Sequence, residues 1–177
     1  YHIGIIQLVE HQALDAATEG FQKALKEKLG DKVEFDVQNA QGEETNCATI
    51  ATKFVNSNVD LIMANATQAV ISSATATSDI PIVGTSVTDY VTTGTVKSND
   101  APGGNVTGTS DLAPIDQQVE LLQKLVPDAK NVGILYCSAE ANSVYQAEQA
   151  QKYLEKAGIT AKTYTCLLYT SPSPRDA

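Results

Sequence analysis

Short apolar segments alternate with longer amphipathic segments along most of the chain. Several of the short segments are apolar at nearly every position, which is typical of strands buried on both faces of a parallel sheet. These segments predict strands at residues 3–9, 33–37, 60–66, 81–87, 131–137 and 160–165.

The longer segments repeat apolar residues at spacings of three and four positions, which is the period of one helix face. Gly30, Pro127 and Gly158 follow three of them, and both residue types end helices. The pattern predicts helices at 12–29, 45–57, 67–79, 114–126 and 141–157. This alternation is typical of an α/β fold with a parallel sheet and right-handed crossover connections.

One passage, SNDAPGGNVTGTSDLAP at residues 98–114, interrupts the alternation. Its glycines and prolines form turns, and NVTGTSD within it is a candidate strand. We interpret the passage as a strand that leaves the first sheet and crosses to a second unit; an edge hairpin on a single sheet is the alternative. The interpretation predicts a first α/β lobe at 1–111 and the start of a second, incomplete lobe at 112–165.

Composition limits the classes of molecule that the protein is suited to bind. The chain has 177 residues, a formal net charge of −9 and a pI of about 4.6. An acidic protein is poorly suited to bind a nucleic-acid backbone, which lysine and arginine neutralise. No apolar run reaches the roughly 18 residues of a membrane span, and no signal peptide is visible, because the chain begins inside an apolar run.

The cysteines and histidines show no metal-binding spacing. Cys47, Cys137 and Cys166 are therefore predicted to be small buried hydrophobic residues. Nucleotide-binding and hydrolase motifs of the GxGxxG, GxxxxGK[ST], GxSxG and HExxH types are missing as well. His11 alone does not make a catalytic triad with the hydroxyls of TGTSD, so we expect no enzyme, no metal and no cofactor.

Small polar and acidic residues follow the carboxyl ends of the predicted strands, where ligands bind in open parallel sheets. Helix capping is the simpler explanation for any one of them, and Thr67 and Ser138 are adequate caps. As a group they suit a cleft in which hydroxyls and helix N-termini bind a carboxylate and an acid binds an ammonium. This chemistry fits an amino acid. The candidate ligand residues are His11, Thr67, Gln68, Ser86, Thr88, Asp89, Ser110, Asp111, Ser138, Glu140 and Asn142.

Four long segments resemble the substrate-binding proteins of ABC transporters, in the group associated with tryptophan and tyrosine. They are IGIIQLVEHQALDAATEGFQKAL (3–25), DLIMANATQAVISSATATSDIPIVGTSVTD (60–89), GGNVTGTSD (103–111) and KNVGILYCSAEANSVYQAEQAQKYLEKAGI (130–159). The resemblance implies a type I periplasmic-binding-protein fold, in which two α/β lobes close on a ligand. It also implies extracytoplasmic localisation, a signal peptide or lipoprotein anchor upstream of Tyr1, and ABC permease subunits as partners.

The same resemblance places the family's cleft residues in the loops already named, and favours an amino acid with an aromatic side chain as the ligand. Tyr90 and Tyr136 lie near strand ends, but we expect both to pack in the protein instead of stacking on the ligand. The alternative function is the effector-binding domain of a sugar- or nucleoside-responsive regulator, which shares the two-lobe architecture. A small α/β enzyme is disfavoured by the missing motifs.

The chain ends in CLLYTSPSPRDA, residues 166–177, which has no apolar period and carries two prolines close together. The segment resembles a translated sequencing-library adapter. We therefore expect it to be a non-native tail on a truncated binding protein; a genuine disordered tail is the alternative.

Overall fold

A computed structural model describes residues 1–166, and the chain divides into two units, Tyr1–Leu112 and Ala113–Ala177. The first unit contains the strands β1 (His2–Gln7), β2 (Glu34–Asn39), β3 (Leu61–Asn65), β4 (Ile82–Val87) and β5 (Val106–Ser110). Its helices are α1 (Gln12–Leu29), α2 (Glu44–Asn56) and α3 (Thr67–Ala76). A 3₁₀ turn at Gly30–Lys32 separates α1 from β2.

The strands of the first unit form one parallel sheet in the order β2-β1-β3-β4-β5. All of its carboxyl ends therefore lie at the same edge. From β1 the chain moves outward to β2, and then passes back across β1 to β3. The strand order thus reverses between β1 and β3, and in open α/β sheets ligands bind outside the carboxyl ends at such a point.

Alternate residues of the central strands pack into different apolar clusters, because successive side chains point to opposite faces of a sheet. Ile5 and Met63 pack with Phe21 and Leu25 of α1. The other face contributes a larger cluster that contains residues of α2 and α3, with Phe54 fully buried in it. Both faces of the sheet are thus covered, as the nearly continuous apolar character of these strands predicts.

The strand at Val106–Ser110 does not leave the first sheet, so that part of the prediction is wrong. It pairs parallel with β4 and is the outermost strand of the sheet on that side, which also excludes the hairpin alternative. The side-chain amide of Asn105 donates hydrogen bonds to the carbonyl oxygens of Thr77 (3.0 Å) and Ile80 (2.8 Å), and so fixes the start of β5 beside β4. The chain passes into the second unit after Leu112.

Helix α3 ends at Ala76, three residues before the predicted end at 79. Thr77 adopts an extended conformation, and its hydroxyl oxygen accepts hydrogen bonds from the backbone N–H groups of Asp79 and Ile80. This turn offers the backbone an alternative to the helix, as threonine side chains commonly do. The helical period alone does not reveal it.

The second unit contains α4 (Ile115–Leu125), β6 (Asn131–Cys137), α5 (Ala141–Lys156) and β7 (Thr160–Cys166). The strands β6 and β7 pair parallel in a sheet of their own. Val119, Leu154 and Ile159 form the buried cluster of this unit. Cys166 is the last residue of β7, opposite Cys137; the rest of the predicted tail, 167–177, lies outside the described residues.

Candidate functional site

The loops that follow β1 and β3 lie side by side where the strand order reverses. The backbone N–H of Leu8 donates to the carbonyl oxygen of Asn65 at 3.2 Å, directly after the two strands end. His11 is the N-cap residue of α1, and its Nδ1 accepts a hydrogen bond from the Ala13 N–H at 3.2 Å. The exposed His11 therefore uses one ring nitrogen to cap its own helix.

The turn between β3 and α3 has an unusual backbone. Ala66 adopts φ 93° and ψ 158°, a conformation almost restricted to glycine. Ala66 is the N-cap position, and no side chain caps the helix there. Thr67 is the buried first residue of α3 and not its cap, so the capping interpretation of Thr67 is wrong. Because no side chain caps this helix end, it is suited to an anion.

A β-bulge interrupts the pairing of β4 with β5 near the end of β4. Between their paired residues, β4 advances from Gly84 to Val87 while β5 advances only from Gly108 to Ser110. The extra residue lies in this stretch, where Ser86 has φ 57°. Bulges of this kind bend a strand and re-aim side chains, often beside functional sites. Ser86 and Ala66 thus both adopt a positive φ near the carboxyl ends of two neighbouring strands.

The carboxylate of Asp89 is held by its own loop. It accepts hydrogen bonds from the backbone N–H of Thr92 (2.7 Å), from the Thr92 hydroxyl, and from the amide of Asn99 (3.4 Å). Burial acts to raise the pKa of Asp89, but the hydrogen bonds from Thr92 and Asn99 outweigh it and hold that pKa below its usual value. Asp89 therefore stabilises the loop between β4 and β5.

The residues after β5 are bound to the end of β4. The Ser110 hydroxyl donates to the Thr88 carbonyl oxygen at 2.7 Å, and the Asp111 N–H donates to the Val87 carbonyl oxygen at 3.0 Å. Asp111 itself is exposed, and its carboxylate accepts no hydrogen bond from residues 1–166. Of the two candidate acids, Asp111 is thus the one whose carboxylate remains available.

Tyr90 packs inside the first unit, as expected. It is 5% exposed and belongs to the larger apolar cluster, while its hydroxyl donates to the Thr109 carbonyl oxygen at 3.1 Å. Burial, and secondarily the negative charge of Asp111, raise the pKa of Tyr90 to about 12. Tyr136, the other tyrosine considered, is half-buried in β6 of the second unit.

Three candidate residues lie in the second unit, after the carboxyl end of β6. Ser138 is half-buried, and its N–H donates to the Cys166 carbonyl oxygen at 3.1 Å. Glu140 and not Ser138 is the N-cap residue of α5, so the capping interpretation of Ser138 is also wrong. The Glu140 carboxylate accepts from the Ser143 hydroxyl at 2.7 Å, and Asn142 lies in the first turn of α5.

The buried thiol of Cys47 is not suited to reaction. Burial, and secondarily the charge of Glu44, raise the pKa of Cys47 to about 11, and the residue packs among apolar side chains as predicted. Cys137 and Cys166 are half-buried and free. Within residues 1–166, no group of three or more histidine, cysteine or acidic side chains is arranged to hold a metal ion. The helices of that range also lack the combined length and hydrophobicity that a membrane span requires.

Comparison with known families identifies the family of this chain. The model of the family described as ABC transporter substrate binding protein matches residues 2–169, which is most of the chain. The chain belongs to this family.

Known proteins resemble the chain in sequence and in structure. A tyrosine-binding protein of Clostridioides difficile (strain R20291) is 47% identical over 158 residues, which are 88% of this chain and 46% of that protein. An ABC domain of Streptococcus pneumoniae, solved in complex with L-Trp, is 40% identical with a TM-score of 0.87, over 93% of this chain and 57% of that one. A conserved domain protein of Vibrio cholerae is 40% identical with a TM-score of 0.88, over 94% and 57%. The chain thus spans about half the length of these relatives.

The predicted fold class, an α/β fold like that of type I periplasmic-binding proteins, is confirmed by these structural neighbours and by the parallel sheets. Sequence reasoning missed two features of the candidate site. Ala66 and Ser86 both adopt positive φ, yet neither is glycine, so the sequence contains no signal for these turns. Thr92 and Asn99 were missed as well, because only the folded loop brings them to Asp89.

Proposed function

We propose that the protein is the substrate-binding component of an ABC importer and that it binds a free amino acid, with an aromatic side chain favoured. Family membership supports the transport role. The names of two relatives support the ligand class, since one is described as tyrosine-binding and the other was solved with L-Trp. The observation that carries the proposal is the polar group of residues at the carboxyl ends of the five-stranded sheet. Within the first unit, this group includes the N-terminus of α3, which has no side-chain cap among the described residues, and the available carboxylate of Asp111.

The ligand carboxylate is bound in this proposal at the N-terminus of α3. The backbone N–H groups of the first turn and the hydroxyl of Thr67 are the donors, and the helix dipole favours a negative charge there. Ser86 lies in the bulged part of the adjacent strand β4, Thr88 directly follows that strand, and Gln68 lies in the same first turn of α3. His11 closes the site from the loop after β1.

The ligand ammonium pairs with Asp111. Its carboxylate accepts no hydrogen bond from the described residues, whereas that of Asp89 is held by Thr92 and Asn99. A hydrogen bond between charged partners is among the stronger kinds, which makes a free acid the better acceptor for an ammonium. Asp89 contributes indirectly, by stabilising the loop that leads to β5, and Ser110 contributes by holding the end of β5 on Thr88.

The lobe organisation is part of the proposal. Residues 1–111 form the first lobe, the second lobe begins at 112, and the ligand is enclosed between them in the full-length protein. Ser138, Glu140 and Asn142 contribute from the second lobe, after the carboxyl end of β6. This chain covers only 46% and 57% of two relatives, which supports a cleft that further residues of the second lobe complete.

The remaining parts of the proposal concern the transporter. The full-length protein works outside the cytoplasm, is directed there by a signal peptide or lipoprotein anchor upstream of Tyr1, and delivers its ligand to ABC permease subunits. The family to which the chain belongs supports each of these statements.

Isothermal titration calorimetry of the full-length protein tests the ligand class. L-Tyrosine, L-tryptophan, L-leucine and L-aspartate form the amino-acid series, and myo-inositol and adenosine represent the ligands of the regulator alternative. We expect heat on addition of the aromatic amino acids and none with the sugar or nucleoside. Binding of myo-inositol or adenosine in the absence of amino-acid binding would overturn the proposal.

A further inference from the structure

A row of polar side chains crosses the first sheet just before its strands end. The residues are in register on neighbouring parallel strands, so their side chains point to the same face. Two positions earlier the corresponding row is apolar and includes Ile5 and Met63, which pack under α1. The polar row consists of Asn39, Gln7, Asn65 and Thr85.

Helix α1 contributes a hydroxyl to this row. The Thr18 hydroxyl donates to Oε1 of Gln7 at 2.7 Å and accepts from Nδ2 of Asn65 at 3.0 Å. All three residues are at most 6% exposed. Thr18 thus links the ends of β1 and β3 through side chains that are shielded from water.

The same side chains bind the backbone of the loop after β1 and of the first turn of α1. Nε2 of Gln7 donates to the Val9 carbonyl oxygen at 3.0 Å, and Nδ2 of Asn65 donates to the Leu14 carbonyl oxygen at 2.8 Å. The Leu8 N–H reaches the backbone of Asn65, the residue before the strained Ala66. The network therefore connects the His11 loop with the turn that begins α3.

One acceptor of this network has no partner. Oδ1 of Asn65 is completely buried and accepts no hydrogen bond from the described residues. An unsatisfied buried acceptor is unfavourable, and an apolar side chain at this position would avoid that penalty. Packing alone therefore does not account for an amide at position 65, whereas its two donated hydrogen bonds do.

We propose that Thr18 and Asn65 are positioning residues of the ligand site. Neither touches the ligand; together with Gln7 they hold the loop at 8–11 and the turn at 66–68 in the arrangement that binds it. This inference rests on the proposed function of the sheet edge. It assigns part of the ligand affinity to a buried network on the α1 face of the sheet.

Substitutions at Thr18 test the inference in the full-length protein without ligand. Thr18→Val keeps the shape and removes the hydroxyl, whereas Thr18→Ser keeps the hydroxyl. Thr49→Val is the matched control, because within residues 1–166 the Thr49 hydroxyl bonds only inside its own helix, to the Thr45 carbonyl oxygen. Gln7→Met, which removes the side-chain amide (Oε1 and Nε2) at similar length, is the second variant in case Thr18→Val folds poorly.

The first measurement is amide hydrogen exchange. We expect Thr18→Val to speed amide exchange at residues 8–11 and 66–68. The acceleration there should be about ten times that in the interiors of β1 and β3, because local opening is governed by local contacts. Thr18→Ser and Thr49→Val should leave the two loops unchanged. Faster exchange by the same factor in loops and strand interiors would show a purely structural role and would overturn the inference.

The second measurement is L-tyrosine affinity in the same proteins. Thr18→Val should weaken binding by about tenfold, because it removes both hydrogen bonds of the Thr18 hydroxyl from the network, and Thr18→Ser should restore it. Unchanged affinity with locally faster exchange would overturn the positioning role. If the unsubstituted protein binds a sugar but no amino acid, the proposed ligand fails, while the exchange data still decide whether the network holds the loops.

Discussion

The hydroxyl of Tyr90 lies directly over Gly108, the residue of β5 that is paired with Gly84 of β4. A Cβ atom on Gly108 would lie 2.1 Å from Oη of Tyr90 and 2.2 Å from the Gly84 carbonyl oxygen. One on Gly84 would lie 2.5 Å from the same hydroxyl. The two glycines thus make the space in which Tyr90 packs, and Tyr90 fixes the loop between β4 and β5 on the sheet.

Gly108→Ala should therefore destabilise the protein. We expect a loss of about 1–3 kcal/mol in the free energy of unfolding, as for other overpacked sites, because both close contacts involve buried or backbone atoms. Gly20→Ala is the matched control. Gly20 lies within α1 with nothing near its Cβ position, so alanine should stabilise the helix by about 0.5–1 kcal/mol. Urea denaturation of both variants checks the prediction, and equal effects would contradict the packing role.

The raised pKa of Tyr90 predicts that the stability of the protein depends on pH in the alkaline range. Its pKa is raised to about 12 in the folded protein from 10 in the unfolded chain, so the folded state favours the protonated phenol. The stabilisation is complete below pH 10 and is lost as the pH rises from about 10 to 12. The stability difference between the unsubstituted protein and Tyr90→Phe, measured by denaturation at each pH, should shrink over that range. A difference that stays constant to pH 12 would contradict the assignment.

The two acids of the site should behave differently when each is replaced by its amide. Asp111→Asn should weaken amino-acid binding by the full-length protein by roughly one to two orders of magnitude and leave stability nearly unchanged, because it removes the proposed partner of the ammonium. Asp89→Asn should lower stability by about 1 kcal/mol at neutral pH, since Asp89 is partly exposed. Calorimetry and urea denaturation of both variants measure the two effects.

The pH dependence of the Asp89 effect follows from its lowered pKa. The folded protein favours the carboxylate, so the stabilisation is present above the unfolded pKa of 3.8 and is lost as the pH falls through the lower folded value. An Asp89→Asn variant that kept its full deficit at pH 2 would exclude the hydrogen bonds to Thr92 and Asn99 as the cause.

Ala66 should store backbone strain. Its φ of 93° is a conformation in which a non-glycine residue costs about 1–3 kcal/mol, part of which glycine would regain. Ala66→Gly should therefore raise the free energy of unfolding by about 1 kcal/mol, after allowing for the greater entropy of glycine in the unfolded chain. Thermal denaturation checks this result, with Gly20→Ala as the reference for an unstrained site. A destabilised Ala66→Gly protein would argue against strain at this turn.

The sequence predicts most helices and strands because their apolar periods differ, and the nearly continuous apolar runs of β1 and β3 correctly indicate a parallel sheet buried on both faces. It does not place β5, whose position depends on Asn105 and on the pair of glycines under Tyr90. It also does not separate Asp89 from Asp111, because only the folded loop brings Thr92 and Asn99 to one of them. Local pattern predicts which elements form, whereas contacts made in the folded loops decide where some helices end and which polar groups remain available to a ligand.

The central claim is that the sheet edge recognises both charged groups of an amino acid. Calorimetry of the full-length protein with L-tyrosine, tyramine and 3-(4-hydroxyphenyl)propionate tests it most directly, because the two analogues each lack one charged group. We predict that L-tyrosine binds and that each analogue binds at least about tenfold more weakly, since each loses a charge-assisted hydrogen bond. Equal binding of all three compounds, or no binding of L-tyrosine beside binding of a sugar, would contradict the account.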